Sequence, residues 1–402
     1  MGLAIAVGFD STVDVWVTFP SLGDLEKFAG EYSGSLAEQM RTAYKTIATG
    51  KGDEVSIDGQ LEEAQKLVKS AETRGADVRY KLGGNAGQEA ASFGSLGSDV
   101  AFVGVISPNL STRLSLGDRK FLKKIDLSHA FATKYKPFSF ILQARGTNRY
   151  ILCEGRGRRI EQLRPYLREL PNALERILDK YDKLDMVNLV GWHVLFANGI
   201  SDRDFRFVKG VIRKVRNVAD SPLFTDAGGL AAFDERERRL LYRLYSMFDT
   251  LSVNEDEVLQ VSRTIGAETK DKIQAMRNIL ELSERLSTIW IHSADYQASL
   301  STKYGRELLE GAQVAAAAAG VCRVEKGAYP TLGELAKRMK IKNYSKKGRE
   351  AAEHATKKYG SKIGDAALVV TPCYKARSFA STVGAGDVAA AVYTYVISGG
   401  KT

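Results

Sequence analysis

Cysteine is scarce in this sequence. It occurs three times in 402 residues (Cys153, Cys322, Cys373), never at short spacing. That excludes a disulfide framework, and so odd and sparse a set leads one to expect a reducing cytoplasm. The four histidines (His129, His193, His292, His354) do not fall in the spacings that hold zinc. No apolar stretch approaches the roughly 20 residues of a membrane-spanning helix. Met1–Phe9 is apolar, has no charge ahead of its apolar run, and leads straight into Asp10. It reads as a first buried strand and not as a signal peptide. Neither a fixed-period repeat nor a compositional bias is present, which excludes a collagen-like or disordered chain.

What is there is ordinary for a globular protein: 44% hydrophobic and 26% charged residues. The length suggests roughly two to three domain-equivalents, or one large α/β domain with an appended part. Lys and Arg number 58 against 48 Asp and Glu, a net charge of +10. A basic chain can bind nucleic acid, but no zinc-finger spacing, RNP motif or basic heptad helix is present. A solvated basic surface with a cleft that attracts anionic substrates is the better reading.

Short β-branched or aromatic runs alternate with amphipathic stretches. Strands are expected at Leu3–Phe9, Val100–Ile106, Phe138–Gln143, Tyr150–Cys153, Met186–Val190, Leu251–Val253, Thr288–Ile291 and Ala367–Thr371. Several are continuously apolar, as strands covered on both faces are. Helices are expected between them, among them Leu61–Thr73, Ile160–Lys180 and Glu307–Ala319, the last closed by Gly320 at a C′ position. The alternation predicts a three-layer α/β fold with a mostly parallel sheet. Two regions fit that core poorly: about 15–59, and about 111–159 with its arginines Arg145, Arg149, Arg156, Arg158 and Arg159. They are expected to form a small lid, although surface elaboration remains an alternative for the first.

Four segments carry chemistry. Ser381-Thr382-Val383-Gly384-Ala385-Gly386-Asp387 precedes a small-residue helix. Its glycines allow close backbone approach, and the helix start favours an anion. Asp387 would be a carboxylate beside that anion site, suited to taking a proton from a hydroxyl, or simply a helix cap. Lys81–Gly87 is a second glycine turn before a helix, with Asn85 able to donate and accept. Gly8–Asp14 ends the first strand and offers Asp10 and Asp14, as hydroxyl ligands or as turn residues. Asn254 to Glu257 follows a strand and offers oxygen donors suited to hydrated Mg²⁺, or an acidic helix start.

In this order the segments resemble the ribokinase-like sugar kinases, and more closely the archaeal ADP-dependent glucokinase and phosphofructokinase family. The resemblance rests on Gly83–Gly87, on Asn254 with Glu257, and on Gly384–Asp387 preceded by Ser381-Thr382. Thr147–Ile151, His193–Ala197 and His292–Tyr296 also resemble family segments. The family carries a Glu two residues after the His of the second of these; here it is Leu195, which implies that one metal-linked carboxylate is missing.

The resemblance implies a ribokinase-like fold, with residues 1–14, 60–110 and 160–402 as the large domain and 15–59 and 111–159 as the lid. It implies Asp387 as general base, with Gly384, Ala385 and Gly386 as an anion hole. Asp14, Gly84, Asn85 and Arg149 would bind substrate, and His292, Tyr296 and Thr382 the nucleotide. Asn254 and Glu257 would position Mg²⁺. The implied reaction moves a phosphoryl group from ADP to a sugar or sugar phosphate in the cytoplasm, without nucleic acid or membrane. An ATP-dependent kinase of the same fold and a catalytically silent binding protein remain alternatives.

Overall fold

A computed structural model describes residues 2–9, 11–57, 59–106, 123–132, 138–153, 159–196, 199–230, 233–380 and 382–402. The chain opens with β1 (Ala4–Phe9) and β2 (Thr12–Phe19), then α1 (Leu22–Glu31), α2 (Ala37–Ala48), β3 (Asp53–Ser56), α3 (Leu61–Thr73), β4 (Asp77–Gly83) and α4 (Asn85–Ser95). Short and long strands follow: β5 (Asp99–Phe102), β6 (Val105–Ile106), β7 (Ile125–Asp126), β8 (Phe131–Ala132), β9 (Phe138–Ala144) and β10 (Arg149–Cys153). From α5 (Arg159–Tyr181) onward strands and helices alternate: β11 (Met186–Val190), α6 (Asp202–Ala219), β12 (Leu223–Asp226), α7 (Glu235–Tyr245), β13 (Thr250–Val253), α8 (Glu255–Thr264), α9 (Lys272–Leu282) and β14 (Thr288–His292). The chain closes with β15 (Tyr296–Ser301), α10 (Arg306–Lys326), α11 (Leu332–Met339), α12 (Lys346–Tyr359), β16 (Lys362–Ile363), β17 (Ala366–Pro372) and α13 (Ala385–Ile397).

A ten-stranded sheet runs in the order β16-β17-β15-β14-β13-β12-β11-β1-β5-β7. From β14 to β7 every pairing is parallel, and β15, β16 and β17 add antiparallel pairings at one edge. β1 and β11 are buried along their length, apolar except for Gly8 and Asn188, because helices cover both faces. Along β1, Ile5 and Val7 join a core with α4, α10 and α13, whereas Ala6 and Phe9 join a second core with α5 to α9. That is the three-layer architecture expected from the alternation. Ligands of such sheets gather at the carboxyl ends of the strands.

A second, five-stranded sheet runs β3-β10-β9-β2-β4. The segments assigned to the lid supply β3, β9, β10 and most of β2, but β4 lies in the stretch assigned to the large domain. It pairs antiparallel with β2, Thr12 opposite Gly83 and Thr18 opposite Asp77. Pattern alone hid this, because β4 reads Asp-Val-Arg-Tyr-Lys-Leu-Gly, polar enough to pass for a loop. Trp16 and Ile141 of this sheet pack on Val383 just ahead of α13, so the small sheet meets the carboxyl edge of the large one.

Gly320 is not a C′ residue. α10 runs on to Lys326 and ends at Gly327, which takes the left-handed φ of 64°. Gly320 lies where α10 and α13 press together: a Cβ there would sit 3.7 Å from the Ala385 carbonyl oxygen and 3.8 Å from the Ala389 Cβ. No helix among the described residues is long and apolar enough to cross a membrane.

Candidate active site

The start of α13 is the focus. Gly384 caps the helix at φ 71°, in the left-handed region glycine tolerates. A Cβ on it would also come 2.7 Å from Oε1 of Gln88. The Ala385 amide donates back to the Thr382 carbonyl at 3.2 Å, closing a turn. Of the three amides expected to form an anion hole, that leaves those of Gly384 and Gly386, at the positive end of the helix. Gly386 faces His292: a Cβ would lie 3.3 Å from the imidazole Nε2. Ser381 lies outside the described residues, as does Asp10.

Asp387 sits on the first turn of α13, half-buried. Burial pushes its carboxyl up to about 6, while Arg323 and then Arg149 pull it the other way. It is therefore mostly ionised at neutral pH, yet basic enough to hold a proton. One further acid faces it, and another lies beyond. Asp226, at the end of β12, is driven well above the usual carboxylate range by burial, then by Glu257 and Asp387. Glu257, on α8, is raised by burial against backbone hydrogen bonds from Asn254 and Gly229. Asn254 caps α8: its Oδ1 accepts from the amides of Asp256 and Glu257, each at 2.9 Å, and its own amide donates to Glu257 Oε2 at 2.8 Å. The acidic helix start is thus real, and Asn254 acts by fixing Glu257.

Sequence reasoning missed Asp226, which stands alone in Phe-Thr-Asp-Ala and matches no motif. Leu195, where the family carries a Glu, is fully buried in the apolar core with Trp192 and Phe196. His193, the residue that drew attention to that segment, lies against the Gly228–Gly229 turn that follows Asp226. Burial keeps its imidazole neutral.

Glu89 was also missed. It is 1% exposed on α4 and accepts from Asn188 Nδ2 at 2.8 Å. Burial, then Asp387 and Asp226, hold its carboxyl well above the usual range, against the lowering effect of Asn188. The folded state therefore binds this proton more tightly than the unfolded chain. Stability should fall as pH rises above about 4.5, the ordinary value for Glu. Glu89→Gln removes that penalty. Urea denaturation from pH 5 to 8 should show the variant gaining on wild type as pH rises; a constant difference would mean Glu89 is ionised in the fold.

The small sheet supplies the opposite wall. Asp14 is 4% exposed and accepts from Thr12 Oγ1 at 2.7 Å. Its carboxyl lies over Gly83, where a Cβ would be 1.9 Å from Oδ1, so only glycine fits. Gly84, at φ 71°, turns the chain into α4. Asn85 then donates through Nδ2 to Asp226 Oδ1 at 3.3 Å, joining this turn to the acidic group. Arg149 reaches from β10 to Thr382 Oγ1 at 2.9 Å and feels Glu54, Asp387 and Asp14. Arg145 is exposed at the β9–β10 turn. Arg156, Arg158 and the side chain of Arg159 lie outside the described residues.

His292 ends β14, with Nδ1 3.1 Å from Ser252 Oγ, and burial lowers it to about 4, so it is neutral. Tyr296 starts β15 and lies 5.7 Å from the ammonium of Lys272, which bonds Glu255 at 3.1 Å. The structure thus gathers Asp387, Gly384, Gly386, Thr382, Arg149 and His292 at one point, with Asp14, Gly84 and Asn85 along one side and Glu257 along another. Tyr296 stands farther out, beside Lys272 of α9.

A helix-end anion site beside a carboxylate, at the carboxyl edge of a parallel sheet, is the apparatus of a phosphoryl-transfer enzyme. The family model for the ADP-specific phosphofructokinase/glucokinase conserved region matches residues 3–395, and the chain belongs to that family of carbohydrate kinases. No curated protein matches it in sequence. Among solved structures, a phosphofructokinase from Pyrococcus horikoshii OT3 with AMP matches at 14% identity, TM-score 0.71, covering 98% of each chain. An ADP-dependent kinase in complex with fructose-6-phosphate and ADPbetaS matches at 14% identity and TM-score 0.71, over 99% of this chain and 94% of that one. Adenosine kinase from Trypanosoma brucei brucei matches at 14% identity and TM-score 0.51, over 74% and 82%. These likenesses establish a ribokinase-like fold.

Proposed function

We propose that the protein transfers the terminal phosphoryl group of ADP to a hydroxyl of a sugar or sugar phosphate, releasing AMP. One observation carries the reading: Asp387 is held near 6, directly after the glycine turn at the positive end of α13. A base of that strength is ionised at working pH and still accepts a proton as the acceptor hydroxyl is phosphorylated. The amides of Gly384 and Gly386 stabilise the phosphoryl oxygens. Arg149 and Thr382 guard the donor side, with neutral His292 behind Gly386 and Tyr296 farther along the nucleotide's path. Asp14, Gly84 and Asn85 hold the acceptor's hydroxyls.

Mg²⁺ is the metal that fits. It is bound through one or two carboxylates and keeps several of its own waters. Asp226 and Glu257, each raised by burial and crowded with negative charge, are the oxygen donors for that shell, with Asn254 fixing Glu257. Bound there, the ion would neutralise charge on the donor's phosphates.

The test is an assay of purified protein with Mg²⁺, either ADP or ATP, and glucose or fructose 6-phosphate among the acceptors. The reading expects AMP and a phosphorylated sugar with ADP, and little turnover with ATP. Preference for ATP would keep the kinase and refute the donor. In the same assay Glu257→Gln and Asp226→Asn should raise the Mg²⁺ concentration needed for half-maximal rate by about tenfold, with a smaller change in sugar KM. An unchanged Mg²⁺ titration with a raised sugar KM would place both residues on the acceptor instead.

A further inference from the structure

Arg323 is one of the largest fully buried side chains of the protein, 2% exposed near the end of α10. Each nitrogen of its guanidinium is used. Nε donates to the Val383 carbonyl at 3.1 Å, Nη1 to the Gly327 carbonyl at 2.9 Å, and Nη2 to Gln88 Oε1 at 3.1 Å. The guanidinium also lies 4.6 Å from the ring centre of Tyr329, whose hydroxyl donates to the same Gln88 oxygen at 2.8 Å.

Gln88 continues the connection. It lies one turn into α4 and donates through Nε2 to the Leu82 carbonyl at 2.7 Å. Leu82 immediately precedes Gly83-Gly84, and Val383 immediately precedes Gly384. The path Leu82–Gln88–Arg323–Val383 therefore joins the two glycine turns. Its contact with Gly384 is close enough that no Cβ fits between that residue and Gln88.

Capping the end of α10 would need only the bond to Gly327. The other two bonds go to separate segments, both of which enter the site. Burying a guanidinium is costly unless it is hydrogen-bonded, and two of its three bonds here lead to the two turns, one directly and one through Gln88.

We propose that Arg323 and Gln88 are a positioning pair for phosphoryl transfer: they hold the Gly384–Gly386 turn in register with the Gly83–Asn85 turn, so that donor phosphate and acceptor hydroxyl meet in line. This rests on the kinase reading. Neither side chain needs to touch substrate. Misplacement of about 1 Å between reacting groups commonly costs about 10²-fold in rate.

Arg323 has a second effect through its charge, since it is the stronger of the two arginines favouring ionised Asp387. The other groups facing that carboxyl are Arg149 from β10, Asp226 from β12 and Glu89 from α4, while neutral His292 from β14 lies against the neighbouring Gly386. With Arg323 removed, Arg149 is the cation among the described residues that still opposes the acids, so the acid limb of the rate profile should move to higher pH.

Two variants separate these effects. Arg323→Met removes both bonds and charge: kcat should fall about 10²-fold, donor KM should change less than kcat, and the acid limb of kcat/KM should shift upward. Gln88→Met breaks the link and keeps the charge: kcat should fall with the acid limb in place. Arg323→Lys keeps charge but replaces the planar fork with a single ammonium, so it should behave like Gln88→Met. It carries the bonding arm of the test at position 323 if Arg323→Met does not fold. Folded variants with wild-type kcat and an unmoved acid limb, in an enzyme that is active as wild type, would overturn the pairing and leave the kinase reading intact. A wild-type protein inactive with every donor would overturn the kinase reading itself.

Discussion

Asp387→Asn should fold as the wild type does and lose about 10²–10⁴-fold in kcat, the usual cost of removing a general base. The amide keeps the shape of the carboxyl and takes away its capacity to accept the acceptor's proton. Donor and acceptor KM should change little, because the Gly384 and Gly386 amides and the small sheet remain in place. Wild-type enzyme should show an acid limb in kcat/KM near 6, the value to which burial pushes this carboxyl against Arg323 and Arg149. The carboxylate is the active form, so activity falls as pH drops through that value. Near-normal turnover by the purified, folded variant would remove Asp387 from the chemistry.

Gly384→Ala should cost about 10²-fold in kcat, comparable to losing one donor of an oxyanion hole, together with a lower Tm. Two causes act together. Left-handed backbone costs a residue with a Cβ about 1–2 kcal/mol, and Gly384 has φ 71°. The new Cβ would also stand 2.7 Å from Gln88 Oε1. That amide cannot easily retreat, because Leu82, Arg323 and Tyr329 all hold it. The turn itself must move, and with it the anion hole. Gly386→Ala meets His292 Nε2 at 3.3 Å and should be the milder change. A Gly384→Ala protein with wild-type kcat and Tm would mean that the turn is not pinned as described.

The architecture was legible because period and composition encode it. β1, β11 and β14 are mostly apolar, buried runs with helices on both faces. The glycine turns were legible for a steric reason: Gly83, Gly84 and Gly384 occupy positions where a side chain collides or φ is positive. What escaped was short or polar. β12 has four residues, too few to set a period, and Asp226 closes it without a motif. β4 is too polar to announce itself as a strand. Arg323 and Glu89 read as ordinary surface charges on helices; their burial is a tertiary fact that spacing along the chain does not carry.

The most direct measurement follows the phosphoryl group itself. With ADP labelled in its β-phosphate, Mg²⁺ and a sugar or sugar phosphate acceptor, the label should leave the nucleotide and appear on the sugar, with one AMP formed per phosphorylated product. Asp387→Asn should abolish that transfer under the same conditions. Label that stays on ADP with every acceptor offered, or that moves equally well in the Asp387→Asn protein, would contradict the account.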